Sequence, residues 1–393
     1  RDITAPSTNN QLVSIIYLSP VANLFLKFRT KNITKFKYIH YGDIHTGKAK
    51  KINEPSKLPS ITKGNYSTLR NGDVVVADAS EDYKGIADAA ILLSTGAFSI
   101  IAGLHTIAFR PNRKLVFPMF IYYNLQTSRF KHYGYHVGTG LKVFGISSNL
   151  FFDYSAFHPS LIEQQEISKL IESLENLLSL QQRKLEQLKQ LKKAMLQQLF
   201  VDKNNKQPNL RFKNFKGNWE QHRLEEVAQV TMGQSPSSKN YTDNPNDYVL
   251  VQGNADLKSN RISPRVWTKE VTKQVHKGEI IMTVRAPVGY LAMANMDAVI
   301  GRGVAAIDGN KYLYYLLQTK LMDRTWEKLS SGSTFESISS NGIKNLEIKV
   351  TETEEEKLIA KLMDTVTYFV TLQKNNLTQL TTLKNYLLQN LFI

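Results

Sequence analysis

The sequence predicts an α+β protein: two globular mixed α/β domains separated by an antiparallel two-helix coiled coil, with pseudo-twofold internal symmetry. Three observations lead there: a long internal repeat, two heptad segments almost free of Gly and Pro, and short β-rich runs confined to the regions between them. Displaced by 192 residues, the chain falls into register with itself over about eighty positions. Tyr122-Tyr123-Asn124-Leu125-Gln126-Thr127 lands on Tyr314-Tyr315-Leu316-Leu317-Gln318-Thr319, and Ile146-Ser147-Ser148-Asn149 on Ile338-Ser339-Ser340-Asn341. Leu196-Gln197-Gln198-Leu199-Phe200 lands on Leu388-Gln389-Asn390-Leu391-Phe392. Earlier, Leu18, Val21, Ala22, Gly72 and Asp73 match Leu224, Val227, Ala228, Gly278 and Glu279 at an offset of 206, so the second copy is 14 residues shorter between the two blocks. A repeat this long exceeds a solenoid unit and must be a whole domain plus a helix. The expected boundaries are 1–158 for the first globular domain, 159–203 for the central helix, 204–351 for the second domain and 352–393 for the last helix.

Both helical segments carry an apolar seam at heptad spacing. In the first it runs through Ile171, Leu174, Leu178, Gln181, Leu185, Leu188, Lys192, Met195 and Leu199. In the second it runs through Met363, Val366, Val370, Gln373, Leu377, Leu380, Lys384, Leu387 and Leu391. One Gln and one Lys interrupt each seam at the same heptad positions. Polar residues in a seam fix register at a cost in stability, which predicts a specified partner for each helix, most simply the other one. In the globular regions Val74-Val75-Val76-Ala77, Tyr248-Val249-Leu250-Val251 and Ile280-Ile281-Met282-Thr283-Val284 read as strands, with Asn71-Gly72 and Lys277-Gly278 as turns before two of them. Helical stretches are expected near Val116 to Lys131 and Tyr312 to Leu329, and residues 202–218 read as a polar connector.

Charge divides along the same lines. Lys plus Arg against Asp plus Glu is 19 to 9 over residues 1–160 and 21 to 15 over 202–351, but 6 to 5 and 4 to 5 in the two helical segments. The excess of +16 therefore sits on the globular domains, as in a protein whose Lys and Arg replace the counterions of a polyanion. No apolar run reaches the roughly 18 residues of a membrane span. With no cysteine there are no disulfides, thiolate chemistry or sulfur-ligated zinc, which suits a reducing cytoplasm.

Catalytic patterns fail on inspection. Gly42-Asp43-Ile44-His45-Thr46-Gly47-Lys48 approaches a phosphate-binding loop, but Ala49 replaces the magnesium-binding hydroxyl, and Pro55 and Pro59 follow. His132 and His136 have helical spacing without a carboxylate to complete a ligand set. Glu355-Glu356-Lys357 echoes part of a nuclease core yet opens a helix, where acidic residues are commonplace. Asn244-Pro245-Asn246-Asp247 fails as the loop of an adenine methyltransferase. The expectation is a binder with no catalytic residues and no metal.

Two diverged domains, each followed by a helix ending in Leu-Gln-Gln-Leu-Phe or Leu-Gln-Asn-Leu-Phe, resemble the specificity subunits of type I restriction-modification enzymes. The local markers are Asn209 to Glu220, with Phe215, Gly217 and Trp219, then Leu224 to Ala228, Gly278-Glu279-Ile280-Ile281, and Ser331-Gly332-Ser333-Thr334 through Ile338. The first domain lacks the Phe-x-Gly-x-Trp opening. The resemblance implies target-recognition domains, each reading half of a bipartite sequence in double-stranded DNA, with the helices as spacer. It implies as partners two methyltransferase subunits that bind S-adenosylmethionine and methylate adenine, and restriction (translocating nuclease) subunits using ATP and Mg; this chain itself would bind no cofactor.

Expected DNA-binding residues are polar and basic side chains on loops bordering the strands: Tyr41, His45, Lys48, Tyr83, Lys84 and Lys142 in the first copy, and Gln234, Ser235, Ser238, Lys239, Tyr241, Arg285 and Thr334 in the second. Arg and Lys can pair with guanine and Gln with adenine in the major groove. Gly138, Thr139 and Gly140 form a small-residue turn that could let backbone approach phosphate. Competing readings are a specificity subunit serving a fused methyltransferase-nuclease, a DNA-acting enzyme with an unfamiliar centre, and a coiled-coil scaffold without specific DNA readout.

Overall fold

The computed structural model describes residues 15–18, 34–81, 85–140, 143–201, 205–330 and 337–392. The chain divides into two compact units: Arg1–Gln182 with Asn375–Ile393, and Arg183–Lys374. Each long helix thus contributes one half to each unit.

The strands described in unit 1 are β1 (Ile15–Leu18), β2 (Phe36–Ile39), β3 (Lys51–Ile52), β4 (Val74–Ala77), β5 (Ala79–Ser80), β6 (Ala89–Leu92), β7 (Ser99–Ala102), β8 (Thr106–Pro111) and β9 (Phe144–Gly145). Its short helices are α1 (Tyr41–His45), α2 (Pro118–Asn124), α3 (Ser128–Val137) and α4 (Ser148–Phe152). A five-stranded sheet has the order β1-β8-β4-β6-β3, and β2 pairs with β7 in parallel. β4 lies between β6 and β8, so all four of its residues are buried and it reads as an unbroken apolar run. Gly72, at φ +88, makes the turn into β4 that Asn71-Gly72 predicts.

After α5 (Leu161–Leu199), unit 2 contains β10 (Glu220–Arg223), α6 (Leu224–Val227), β11 (Gln229–Met232), β12 (Tyr241–Thr242), β13 (Tyr248–Val251), β14 (Leu257–Lys258), β15 (Arg261–Ile262), β16 (Trp267–Thr268) and β17 (Gln274–Val275). There follow β18 (Ile280–Thr283), β19 (Leu291–Met293), β20 (Ala298–Ile300), β21 (Val304–Asp308), α7 (Lys311–Met322), α8 (Thr325–Leu329), α9 (Ser340–Lys344), β22 (Glu347–Val350) and α10 (Thr353–Asn390). One sheet runs β11-β21-β18-β19 and another β12-β16-β13-β20-β17, with β13 parallel to β20. Gly278, at φ +99, turns the chain into β18 as Gly72 does into β4.

Each predicted helical stretch between strands and long helix is two helices. Thr127 adopts extended backbone and its hydroxyl accepts the N–H of Phe130, ending one helix and capping α3. In unit 2 the break is at Arg324, whose φ of +58 no α-helix admits. The repeat is visible in the caps: Ser147 caps α4 and Ser339, 192 residues on, caps α9.

Within each unit the two long helices are in contact and run antiparallel, each the partner that the seam predicts for the other. The predicted seam residues are buried or half-buried along both helices. In unit 1, Ile167 and Ile171 of α5 share a core with Leu388 and Phe392, next to Phe109, Phe120, Tyr123 and Phe130. In unit 2, Leu196, Leu199 and Phe200 share one with Ile359 and Met363 of α10, next to Tyr312, Tyr315 and Trp326. The repeated terminal Phe explains itself here: Phe392 stacks on Phe120 at 4.7 Å between centroids, and Phe200 lies on Tyr312 at 5.4 Å. Both members of one pair are displaced by 192 residues from those of the other.

The seam lysines meet a polar node in each unit. In unit 1, Glu175 accepts from Lys384 (2.6 Å), Lys51 (2.5 Å) and the Tyr123 hydroxyl (3.0 Å), and the two ammonium groups hold its carboxyl below the usual value against the upward push of burial. In unit 2, Lys192 lies over the Tyr315 ring, whose hydroxyl donates to Asp364 at 2.8 Å. Burial lowers the Lys192 ammonium, and Asp364 partly offsets this.

Glu355, assigned no chemistry from sequence, is a structural anchor. Its side chain is 0% exposed and takes a two-pronged bond from Arg211, Nε to Oε1 and Nη2 to Oε2, both 2.8 Å. Arg211 and Trp219 belong to the Asn209–Glu220 marker. Trp219 is buried edge-on to Phe200, so that marker seats the connector on the helix ends.

Candidate nucleic-acid interface

In unit 2, β13 and β20 run parallel with Val251 beside Ile300, so both end at one edge of the sheet. Four backbone segments converge there. The N–H of Gly301 donates to the Val251 carbonyl (2.8 Å), Gln234 to Ile300 (2.9 Å), Gly233 to Val304 (2.9 Å) and Val284 to Gly303 (2.9 Å). The approach is close enough to require glycine: a Cβ on Gly233 would lie 2.1 Å from the Gly301 oxygen, and one on Gly303 would lie 2.0 Å from the Gln252 oxygen. From this mount project Gln234, Arg285 and Arg302, all exposed, with Ser235 and Gln252 half-buried. The Ser235 hydroxyl accepts the N–H of Arg302 at 3.2 Å. The nearby carboxylate of Asp256 is turned inward, accepting from the N–H groups of Gln252 and Gly253.

Three expected residues, Gln234, Ser235 and Arg285, are therefore brought together, while Arg302 and Gln252 join them unforeseen. Ser238, Lys239 and Tyr241 lie on the next turn. Ser238 and Lys239 are exposed, and Tyr241 starts β12 opposite Thr268. Glu270 fastens this turn through the Ser237 N–H (2.8 Å) and the Asn240 amide (2.7 Å).

Unit 1 presents two of these four contacts among the described residues. β2 and β7 run parallel with Ile39 beside Ala102, Gly103 N–H donates to the Ile39 carbonyl (3.0 Å), and Asp78 N–H donates to that of His105 (3.1 Å). Gly103, Leu104 and His105 thus occupy the places of Gly301, Arg302 and Gly303, and His40 that of Gln252. The chemistry differs. Tyr41 packs against His40 (4.6 Å), His105 (5.5 Å) and His45 (6.0 Å), with His105 51% exposed at φ +58.

His45 is already committed. One ring nitrogen meets Asp88 at 3.1 Å and the other the Ala79 carbonyl at 2.9 Å, and the bond to Asp88 raises its pKa above 6.5 despite burial. Burial would raise Asp88, but His45 and Lys131 together hold it low. His45 anchors α1 while Tyr41 faces the edge. Lys48 is exposed in the turn that follows α1, after Gly47 at φ +78. Gly140, at φ +136, lies so close to Val143 that a Cβ would meet its carbonyl oxygen at 1.9 Å. Tyr83, Lys84, Lys142 and Thr334 lie outside the described residues. Among the described residues no cluster of His, Asp and Glu could hold a metal, and no helix is long and apolar enough to cross a membrane.

Comparison with known proteins gives a consistent set of likenesses. Residues 216–382 match the family described as type I restriction modification DNA specificity domain. A protein of Methanocaldococcus jannaschii assigned as the type I restriction enzyme MjaX specificity subunit is 26% identical over 294 residues, covering 72% of this chain and 68% of its own. The MjaIX specificity subunit of the same organism is 30% identical over 171 residues, 40% of this chain and 39% of that one. Among solved structures, the specificity subunit of M. genitalium aligns over 98% of this chain and 96% of its own, with a TM-score of 0.60 and 14% identity. The HsdS subunit of Thermoanaerobacter tengcongensis aligns over 96% of both chains, with a TM-score of 0.51 and 22% identity.

Proposed function

From the premise that the chain belongs to the DNA specificity subunits of type I restriction-modification systems, the non-catalytic component that binds no cofactor, we propose that each unit reads one half of a bipartite double-stranded DNA target. The observation that carries this reading is the shared mount with different side chains: Gln252, Arg302 and Arg285 at one sheet edge, His40, Tyr41 and His105 at the other. One frame with two sets of donors suits two unlike half-sites. The positive charge follows the same partition, with the excess on residues 1–160 and 202–351. The readers are assigned to 1–158 and 204–351, and the helices to 159–203 and 352–393.

The helices also offer a partner surface. Exposed apolar residues recur at the repeat distance: Leu177 and Leu180 on α5 correspond to Phe369 and Leu372 on α10, and Leu191 corresponds to Leu383. Two equivalent patches suit two methyltransferase subunits, which bring S-adenosylmethionine; restriction subunits then join with ATP and Mg. We place this assembly in the reducing cytoplasm. The test is to combine the chain with its methyltransferase subunits and map the methylated adenines. Replacing residues 203–350 with those of a relative should change one half of the target. A change in both halves would falsify independent readout.

A further inference from the structure

On the reading of unit 2 as one of two base readers, we propose that Arg302 selects a guanine in the half-site assigned to that unit. Leu104, its counterpart in unit 1, leaves the other half without such a contact.

Gly301 N–H is bonded to Val251, Arg302 N–H to the Ser235 hydroxyl, and Val304 N–H to the Gly301 carbonyl at 3.2 Å. Gly303 is pressed against the Gln252 carbonyl so closely that no side chain fits. The Cα of Arg302 is therefore pinned from both sides while its side chain is exposed. Arg110, Arg211, Arg265 and Arg324 each have a carboxylate partner; Arg302, like Arg285 on the same mount, is among the described arginines that have none, and it differs from Arg285 in lying between two close backbone approaches. A guanidinium presents two parallel N–H groups that match O6 and N7 of guanine, and reading them requires a fixed origin. A phosphate contact positions the protein on the duplex but carries no sequence information, and it does not need the planar fork of a guanidinium. The neighbours fit base edges as well: Gln234 and Gln252 supply amides on the same mount, and Asp256 faces away. At the equivalent position Leu104 is 42% exposed and has no hydrogen-bonding group.

The test uses the full chain assembled with its methyltransferase subunits, with methylated adenines mapped for the unsubstituted protein, R302A, R302K and L104R. The unsubstituted complex should require guanine at one position of the half-site that responds to replacement of residues 203–350. R302A should relax that position alone, reducing preference for guanine by about tenfold to a hundredfold and sparing the other half. R302K keeps the charge without the fork and should retain affinity while losing much of the preference. L104R should add a preference in the other half only. The fluorescence melt of Trp219, Trp267 and Trp326, all in unit 2, checks that R302A folds. The proposal is overturned by a half-site without guanine, by uniform loss of methylation with the target unchanged, or by R302A and R302K methylating as before. Methylation without any sequence preference by the unsubstituted complex would instead overturn the underlying reading, and the proposal with it.

Discussion

Replacing Arg211 with Ala should cost unit 2 about 3 kcal/mol, a figure that follows from where its partner sits. The Glu355 carboxylate is fully buried, and both oxygens are bonded to a guanidinium whose side chain is itself only 11% exposed. Deleting one partner of a buried pair costs about 3–5 kcal/mol, because the other charge is left unpaired. The Thr351 hydroxyl, 2.5 Å from Glu355, and the N-terminus of α10 remain to offset about 1 kcal/mol of this. For a unit of this size the loss corresponds to a melting shift of roughly 6–12 °C. Tryptophan fluorescence reports it selectively, since all three tryptophans lie in unit 2. The replacement R211M with E355L, which removes both charges, should cost less than R211A alone. The pH dependence has a definite sign. Burial would raise Glu355, but Arg211 and Thr351 hold it below the usual carboxylate value, so its contribution is present above pH ~4.3 and is lost as pH falls through the lower folded value. The gap between the unsubstituted protein and R211A should therefore close on acidification. A loss under ~1 kcal/mol at neutral pH, or a gap unchanged down to pH 3, would refute the assignment of Glu355 as a buried, charge-paired anchor.

Two further outcomes follow from the same reasoning. Phe392→Ala removes a buried ring stacked on Phe120 and should destabilise unit 1 by about 3–5 kcal/mol, while Phe200→Ala should do the same to unit 2; urea melts giving under ~1 kcal/mol for either would mean the stacks contribute little. His45 should titrate above its ordinary 6.5 in an NMR pH series and fall back in Asp88→Asn. Its contribution is present below pH 6.5 and is lost as pH rises through the raised folded value, and a midpoint at or below 6.5 in the unsubstituted protein would contradict the pairing.

Much of the architecture was legible because it is periodic. The heptad seam marked the buried faces of both long helices down to Gln373 and Lys384, since helix pairing imprints its period on every turn. The runs at Val74 and Ile280 were legible because central strands are apolar on both faces. The Arg211–Glu355 pair was not, because its members are 144 positions apart and neither alters a local pattern. The breaks at Thr127 and Arg324 were missed because one capping hydroxyl and one left-handed residue leave the apolar spacing on either side intact. At the interface, loop chemistry suggested Gln234, Ser235 and Arg285, but only the parallel pairing of β13 with β20 brings Arg302 and Gln252 beside them. The available signal was Gly301-Arg302-Gly303, a charged residue between two glycines joining two apolar strands. In unit 1, His45 looked like a free donor because Asp88 and Ala79 are remote in sequence.

The crowding at Gly233 and Gly303 has an evolutionary consequence. Positions where a methyl group would strike a carbonyl oxygen cannot drift, whereas a neighbour such as Arg302, held through its main-chain N–H, can change without disturbing the frame. On the proposed reading, new preferences would arise by single-codon changes at residues 252, 302 or 104 without rebuilding the fold, whereas residue 40 is held because the His40 ring accepts the Gly42 N–H and caps α1. A backbone frame fixed by close packing, with side chains that carry none of it, would separate what such a protein recognises from what keeps it folded.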